Sequence, residues 1–158
     1  MEATDFHRKS HQILTWLETA EQRLVTRVNR ALKGAGLPFA QFVILNHLAS
    51  LPAEGWTVTG LAAALETGQP GVSKILRRLA AKGHVRIDAD PGDRRVRRHR
   101  LTQAGKAAHR EAFRRVAPQA SDIFSGWPDG DIDALHGLLY KLKSSLRDEP
   151  VRPITPAV

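Results

Sequence analysis

A chain of 158 residues that is 42% hydrophobic and 25% charged has the composition of a folded protein with a core of its own, and 1–158 reads as a single domain. It holds no cysteine, which excludes disulfides, thiolate metal sites and thiol redox sensing. No apolar run approaches the roughly 20 residues that span a bilayer, and the opening "MEATDFHRKS" lacks the order of a secretory signal, so a cytoplasmic location and no membrane partner are expected.

From about Asp5 to Lys33 the apolar residues Ile13, Leu17, Ala20, Leu24, Val28 and Ala31 recur at helical steps without an intervening Pro or Gly. At 1.5 Å per residue such a helix is roughly 40 Å long, too long to lie wholly against so small a domain, so part of it needs another surface. "KGAGLP" stops it at Gly34 and Gly36. A second helix, "PFAQFVILNHLASL", carries Phe39, Phe42, Val43, Leu45 and Leu48 on a broad buried face, and "PAEG" then turns the chain. Thr57 is placed to cap a short helix bearing Leu61, Ala62 and Leu65.

"ETGQPG" breaks that helix, and the next opens near Gln69 or Pro70, where proline suits a first turn. Its apolar set Val72, Ile75, Leu76 and Leu79 falls at i, i+3, i+4 and i+7. Gln69, Ser73 and Arg77, with Lys74 and Arg78 alongside, are thereby forced onto the other face. Two helices joined by a tight turn, the second polar and basic outside, form a helix-turn-helix. Gly83 ends it, and "HVRID" reads as a strand with Val85 and Ile87 on one face. "DPGD" puts Pro91 and Gly92 at the centre of a four-residue turn, and "VRRHRL" returns as a partner strand with His99 and Leu101 on one side. This hairpin is a wing tipped by Arg94 and Arg95 and edged by Arg97, Arg98 and Arg100. Thr102 caps a further helix that should bend or end near Pro118, and a last helix runs from about Asp131 to Arg147 before a loose tail, 148–158. Ile132, Leu135, Leu139, Leu142 and Leu146 alternate steps of three and four along it, the seam of helix pairing.

The formal net charge of +8 is concentrated on the winged part: residues 69–115 carry fourteen Lys and Arg against four acids, a net of +10, and the remainder nets −2. One basic block on a near-neutral body is the footprint of a polyanion binder, because solubility alone is served by interspersed signs. The fold class is mainly α with one small β-hairpin, and the opposing polyanion is expected to be double-stranded DNA.

The order of parts, and above all "VSKILRRLAAKGHV" and "DPGDRRVRRHRLTQAG" with its Asp-x-Arg element and "LT..G" helix start, resembles the multiple antibiotic resistance regulator (MarR) family of winged helix-turn-helix transcription factors over roughly residues 10–147. The resemblance implies a homodimer that binds a pseudo-palindromic operator, with dimerisation helices at 5–35 and 103–147 and a DNA-binding region at 38–101. Half-sites would then lie about 34 Å, or about 10 base pairs, apart. Leu17, Ile132, Leu135, Leu139, Leu142 and Leu146 are the candidate dimer contacts; independently of the resemblance, the leucine seam and the over-long first helix both need a partner surface.

Gln69, Ser73, Lys74, Arg77 and Arg78 are candidates for base edges and nearby phosphates, without a residue-to-base assignment. Arg95 matches the family's wing arginine, expected in the minor groove, and Asp93 is expected to orient it by a salt bridge. Arg94, Arg97, Arg98 and Arg78 would neutralise phosphates. Gly68, Pro70 and Gly71 depart from the small hydroxyl residues common at this helix start in the family, leaving backbone N–H groups other than Pro70 to meet phosphate.

Many members of the family release DNA when a small aromatic or anionic effector enters a crevice, which His11, Trp16, Phe42 and Asn46 could border here; in the competing reading Phe42 is core and Trp16 a dimer contact. The pair His7 and His11 has helical metal-ligand spacing but no supporting cysteine or carboxylate, so neither a metal nor a cofactor is expected. A repressor is the leading reading. The alternative is a winged-helix module docking on an acidic protein partner; an enzyme is disfavoured because no nucleophile set, phosphate-cradling glycine loop or paired carboxylates are evident.

Overall fold

The first helix, α1 (Ala3–Leu32), runs thirty residues, yet among those whose burial is described only Val28 and Leu32 near its end are buried. The structure, a computed structural model, describes residues 3–50 and 55–146. Most of the expected "PAEG" turn, the expected helix end at Arg147 and the tail 148–158 lie outside the described residues. A single 3-10 turn, Lys33–Ala35, closes on Gly36 at φ 66°, and α2 (Phe39–Ser50) then enters with the Phe39 N–H donated to Asn29 Oδ1 at 2.9 Å.

Thr57 caps α3 (Val58–Ala64) as expected, its hydroxyl accepting the Gly60 N–H at 3.0 Å. α4 (Gln69–Ala81) ends because Gly83 adopts φ 72°, which lets the Gly83 N–H reach Ala80 O and the His84 N–H reach Leu79 O, both at 2.9 Å. β1 (Val85–Ala89) and β2 (Arg97–Leu101) pair antiparallel with Val85 opposite Leu101 and Ala89 opposite Arg97. Trp56 pairs with His99 on the other edge of β2, exchanging N–H and C=O groups at 3.0 and 2.8 Å, so that edge is covered.

Thr102 opens α5 (Gln103–Ile123) by accepting the Gly105 N–H at 3.0 Å and donating to Gly83 O at 2.6 Å. The helix does not end at Pro118, as the sequence had allowed, but continues through it to Ile123. α6 (Asp129–Ser145) starts two residues before the expected Asp131 because Pro128, extended at ψ 144°, offers its carbonyl to the N–H groups of Asp131 and Ile132.

Fully buried Leu32, Ile44, Leu45, Leu61, Leu76 and Leu79 hold α1, α2, α3 and α4 together, and Val85 and Ala112 join the wing and α5 to the same core. The chain falls into two compact units, up to Gln119 and from Ala120 onward, divided within α5 just after Pro118. The buried core belongs to the first unit, and no residue of α6 is buried.

Candidate nucleic-acid interface

α4 has two chemically opposite faces. Val72, Leu76 and Leu79 are buried, while Gln69, Lys74, Arg77 and Arg78 are exposed and Ser73 is half-buried. Among the described residues, none of the three cations has a carboxylate within ion-pair distance. Val58, Gln69, Pro70 and Ser73 line a shallow depression of about 570 Å³. The N–H groups of Gly71 and Val72, which the sequence left available for phosphate, already point at Gly68 O at 3.2 and 3.3 Å. These are the helix's own first-turn bonds to its cap-residue carbonyl, and the cap glycine adds no side-chain acceptor to them.

The wing reverses differently from the expectation. The expected turn centred on Pro91 and Gly92 lacks its main-chain bond; instead Asp90 Oδ1 accepts the N–H groups of Gly92 and Asp93 at 2.8 and 3.2 Å. The chain then turns around Arg94 and Arg95, with the Val96 N–H on Asp93 O at 2.9 Å and the Asp90 N–H on Val96 O at 3.0 Å. Asp93 does not form the expected ion pair with Arg95: its carboxylate accepts the main-chain N–H of Arg95 at 2.9 Å, holding the backbone while the guanidinium stays exposed. Arg94 and Arg97 are exposed as well.

Arg98 is the main correction among the wing arginines. Expected on phosphate, it is ion-paired with Asp90 and donates to Gly55 O at 3.1 Å, half-buried at the wing's root. That pairing, helped by the Gly92 N–H, holds the Asp90 carboxyl below the ordinary carboxylate range. Alternation along β1 puts Val85 and Ile87 on one side as expected, but only Val85 is buried; Ile87 stays 46% exposed. Opposite Ile87, His99 is buried with Nδ1 3.2 Å from Trp56 O, and its burial lowers its pKa against the opposing pull of that contact.

Two of the four expected effector residues meet at one side chain, His109. Phe42 is core, stacked on the His109 ring at 6.2 Å, and Asn46 Oδ1 lies 3.1 Å from His109 Nε2, while His11 and Trp16 stay exposed on α1. His109 was not legible in the sequence, because Asn46 lies 63 residues away and Phe42 farther still, and its one ring neighbour on its own helix, Phe113, does not point to them. Of the expected dimer residues, Leu17, Ile132, Leu135 and Leu142 are half-buried. Leu139 and Leu146 are exposed, joined on α6 by Leu138 and Tyr140, which the seam pattern had missed.

A family model for the MarR family matches residues 35–96. Among solved structures, CouR from Rhodococcus jostii RHA1 bound to p-coumaroyl-CoA is 26% identical with a TM-score of 0.75, the match covering 89% of this chain and 96% of that one. Bordetella bronchiseptica BpsR, whose DNA binding is regulated by 6-hydroxynicotinic acid, is 27% identical with a TM-score of 0.76, covering 85% and 94%. The S. aureus MepR–DNA complex shares the fold at 23% identity and a TM-score of 0.78, covering 84% and 96%. Residues 35–96 thus match the MarR-family model, and the chain shares its fold with solved MarR-family transcription regulators.

Proposed function

We propose that the protein is a homodimeric, cytoplasmic repressor that binds a pseudo-palindromic operator and releases it to a small effector. The single observation that carries the DNA-binding reading is the face of α4: its apolar stripe is consumed by the core, which leaves Gln69, Lys74, Arg77 and Arg78 exposed without anionic partners among the described residues. In this reading Gln69, Ser73, Lys74 and Arg77 meet base edges and phosphates of the major groove. Arg95 enters the minor groove, Arg94 and Arg97 neutralise phosphates, and Asp93 sets the backbone that presents Arg95.

Self-association is supported by apolar side chains left open on α1, where Trp16 is 62% exposed, and on α6, where Leu138 is 66% exposed. An effector is supported by the relatives, since one is regulated by 6-hydroxynicotinic acid and one binds p-coumaroyl-CoA. The cluster of Phe42, Asn46 and His109 is where this chain would receive it.

The test is an anisotropy titration of the purified protein against its own upstream intergenic DNA and a scrambled duplex, at two salt concentrations. Saturable, sequence-selective binding that weakens steeply with salt is expected. Equal affinity for the scrambled duplex would overturn the reading and favour docking on an acidic protein.

A further inference from the structure

The shallow depression where α3 meets α4 is lined by two apolar residues, Val58 and Pro70, and two polar ones, Gln69 and Ser73. Val58 opens α3 and is half-buried, its side chain shared between the core and the depression. Pro70, in the first turn of α4, is exposed and takes no part in the core.

Gln69 is oriented from the neighbouring helix. The Thr59 hydroxyl on α3 donates to Gln69 Oε1 in a long bond of 3.5 Å, which turns the carbonyl end of the amide toward α3. The Nε2 donors make no hydrogen bond among the described residues, and neither does the Ser73 hydroxyl one helical turn further on.

Gly71 is an independent sign that this surface receives something from outside. A Cβ added there would meet nothing within 4 Å, so neither internal packing nor a left-handed backbone calls for glycine. Alanine would suit the helix better. The missing side chain instead leaves the surface beside Pro70 and Lys74 open.

An occupant must therefore offer an apolar group to Val58 and Pro70 and an acceptor to Gln69. In the major groove of a duplex one base carries both on adjacent atoms: thymine, with its C5-methyl group and O4. Guanine offers acceptors without a methyl, cytosine offers a donor, and adenine mixes a donor with an acceptor. We propose, resting on the DNA-binding reading above, that the depression is a thymine-reading site. The methyl group lies against Val58 and Pro70 while Gln69 Nε2 donates to O4.

The experiment uses the full chain to select duplexes from a random library, and then measures affinity for the enriched sequence by anisotropy. Each thymine of the motif is replaced in turn by deoxyuridine, which removes only the methyl group. Its paired adenine is replaced separately by 7-deazaadenine, which removes only the N7 acceptor. At one thymine position deoxyuridine should weaken binding about fourfold, the free energy of burying one such group, while 7-deazaadenine is neutral. In Pro70→Ala that penalty should disappear, and penalties at other thymines should persist. At the same position 5-methylcytosine opposite guanine keeps the methyl but puts a donor in place of O4. It should weaken the parent about fivefold or more and be tolerated by Gln69→Ala. Both substitutions are at exposed positions, and the melting temperature reports whether each variant is folded.

A motif without a methyl-sensitive thymine, or a deoxyuridine penalty that survives Pro70→Ala, overturns the proposal. So does a loss with 7-deazaadenine where deoxyuridine is neutral, which would give Gln69 to adenine instead. Each of these results leaves sequence-selective binding intact. A selection that enriches no motif removes the operator reading itself, and the thymine site with it.

Discussion

Gly105, at the start of α5, lies against the carbonyl oxygen of His84 so closely that a Cβ added at 105 would sit 1.9 Å from it. The same junction is tied by the Thr102 N–H on His84 O at 3.0 Å and by the Thr102 hydroxyl on Gly83 O at 2.6 Å. The wing therefore leaves the helix-turn-helix and enters α5 through one crowded crossing. Gly105→Ala must displace backbone, and a loss of about 1–3 kcal/mol or more is expected in urea unfolding. Gly137→Ala, in α6 where nothing lies within 4 Å, should instead be neutral or stabilising by up to about 1 kcal/mol. Equal effects at the two positions would remove the significance of the crossing.

Arg98 and Arg95 should fail in different ways. Arg98→Gln leaves Asp90 without its cation and frees the wing root from Gly55, so the melting temperature and operator affinity should both fall while the salt slope stays that of the parent. A slope reduced by about one with unchanged melting would place Arg98 on phosphate instead.

Arg95→Ala removes an exposed guanidinium and keeps the main-chain N–H that Asp93 accepts. Stability and oligomeric state should match the parent, and operator binding should weaken by about 1–3 kcal/mol in anisotropy titrations. Parent-like affinity would show that the wing does not read the groove through this residue.

His99 sets a pH dependence. Burial holds its pKa below the ordinary 6.5, so the unfolded chain takes up the proton first as the pH falls. Its contribution to stability is complete above pH 6.5 and is lost as the pH drops from there toward the folded-state value. His109, lowered by burial and then by Arg110, acts in the same direction. The paired carboxylates Asp90 and Glu111, also lowered, act in a separate, more acid window. Urea melts between pH 7.5 and 5 should therefore show a falling stability whose slope is reduced in His99→Gln; unchanged slopes would contradict the assignment.

Leu139→Asp places a carboxylate on the open apolar face of α6, where the wild-type side chain is 42% exposed. If that face closes on a second copy, burying the unpaired charge should cost about 3–5 kcal/mol of association, seen as monomer in sedimentation velocity at concentrations where the parent is dimeric. A parent chain that sediments as a monomer would refute self-association itself.

The local architecture was legible because it rests on short-range chemistry. The 3.6-residue stripe of Val72, Leu76 and Leu79 placed α4, Thr57 and Thr102 marked helix starts with their hydroxyls, and Gly83 marked a stop. Pro118 does not end α5, because its missing N–H removes one intrahelical bond and the following turns carry the helix past it. The wing turn misled because Asp90 and Asp93 side chains replaced main-chain bonds that the proline-glycine pair would otherwise have made.

The sequence by itself determined the element types, the helix-turn-helix with its wing, and the placing of positive charge on that half of the chain. Tertiary structure decided which of those charges remain available. Arg98 and Lys82 look like their neighbours in sequence, yet Arg98 is bound to Asp90 and Gly55, and Lys82 to Gly36 O and Gln41 Oε1 at 3.1 and 3.0 Å. A helix or turn is set by residues a few positions apart, whereas a cation's role depends on which acceptors the folded chain brings to it, here including carbonyls more than forty residues away.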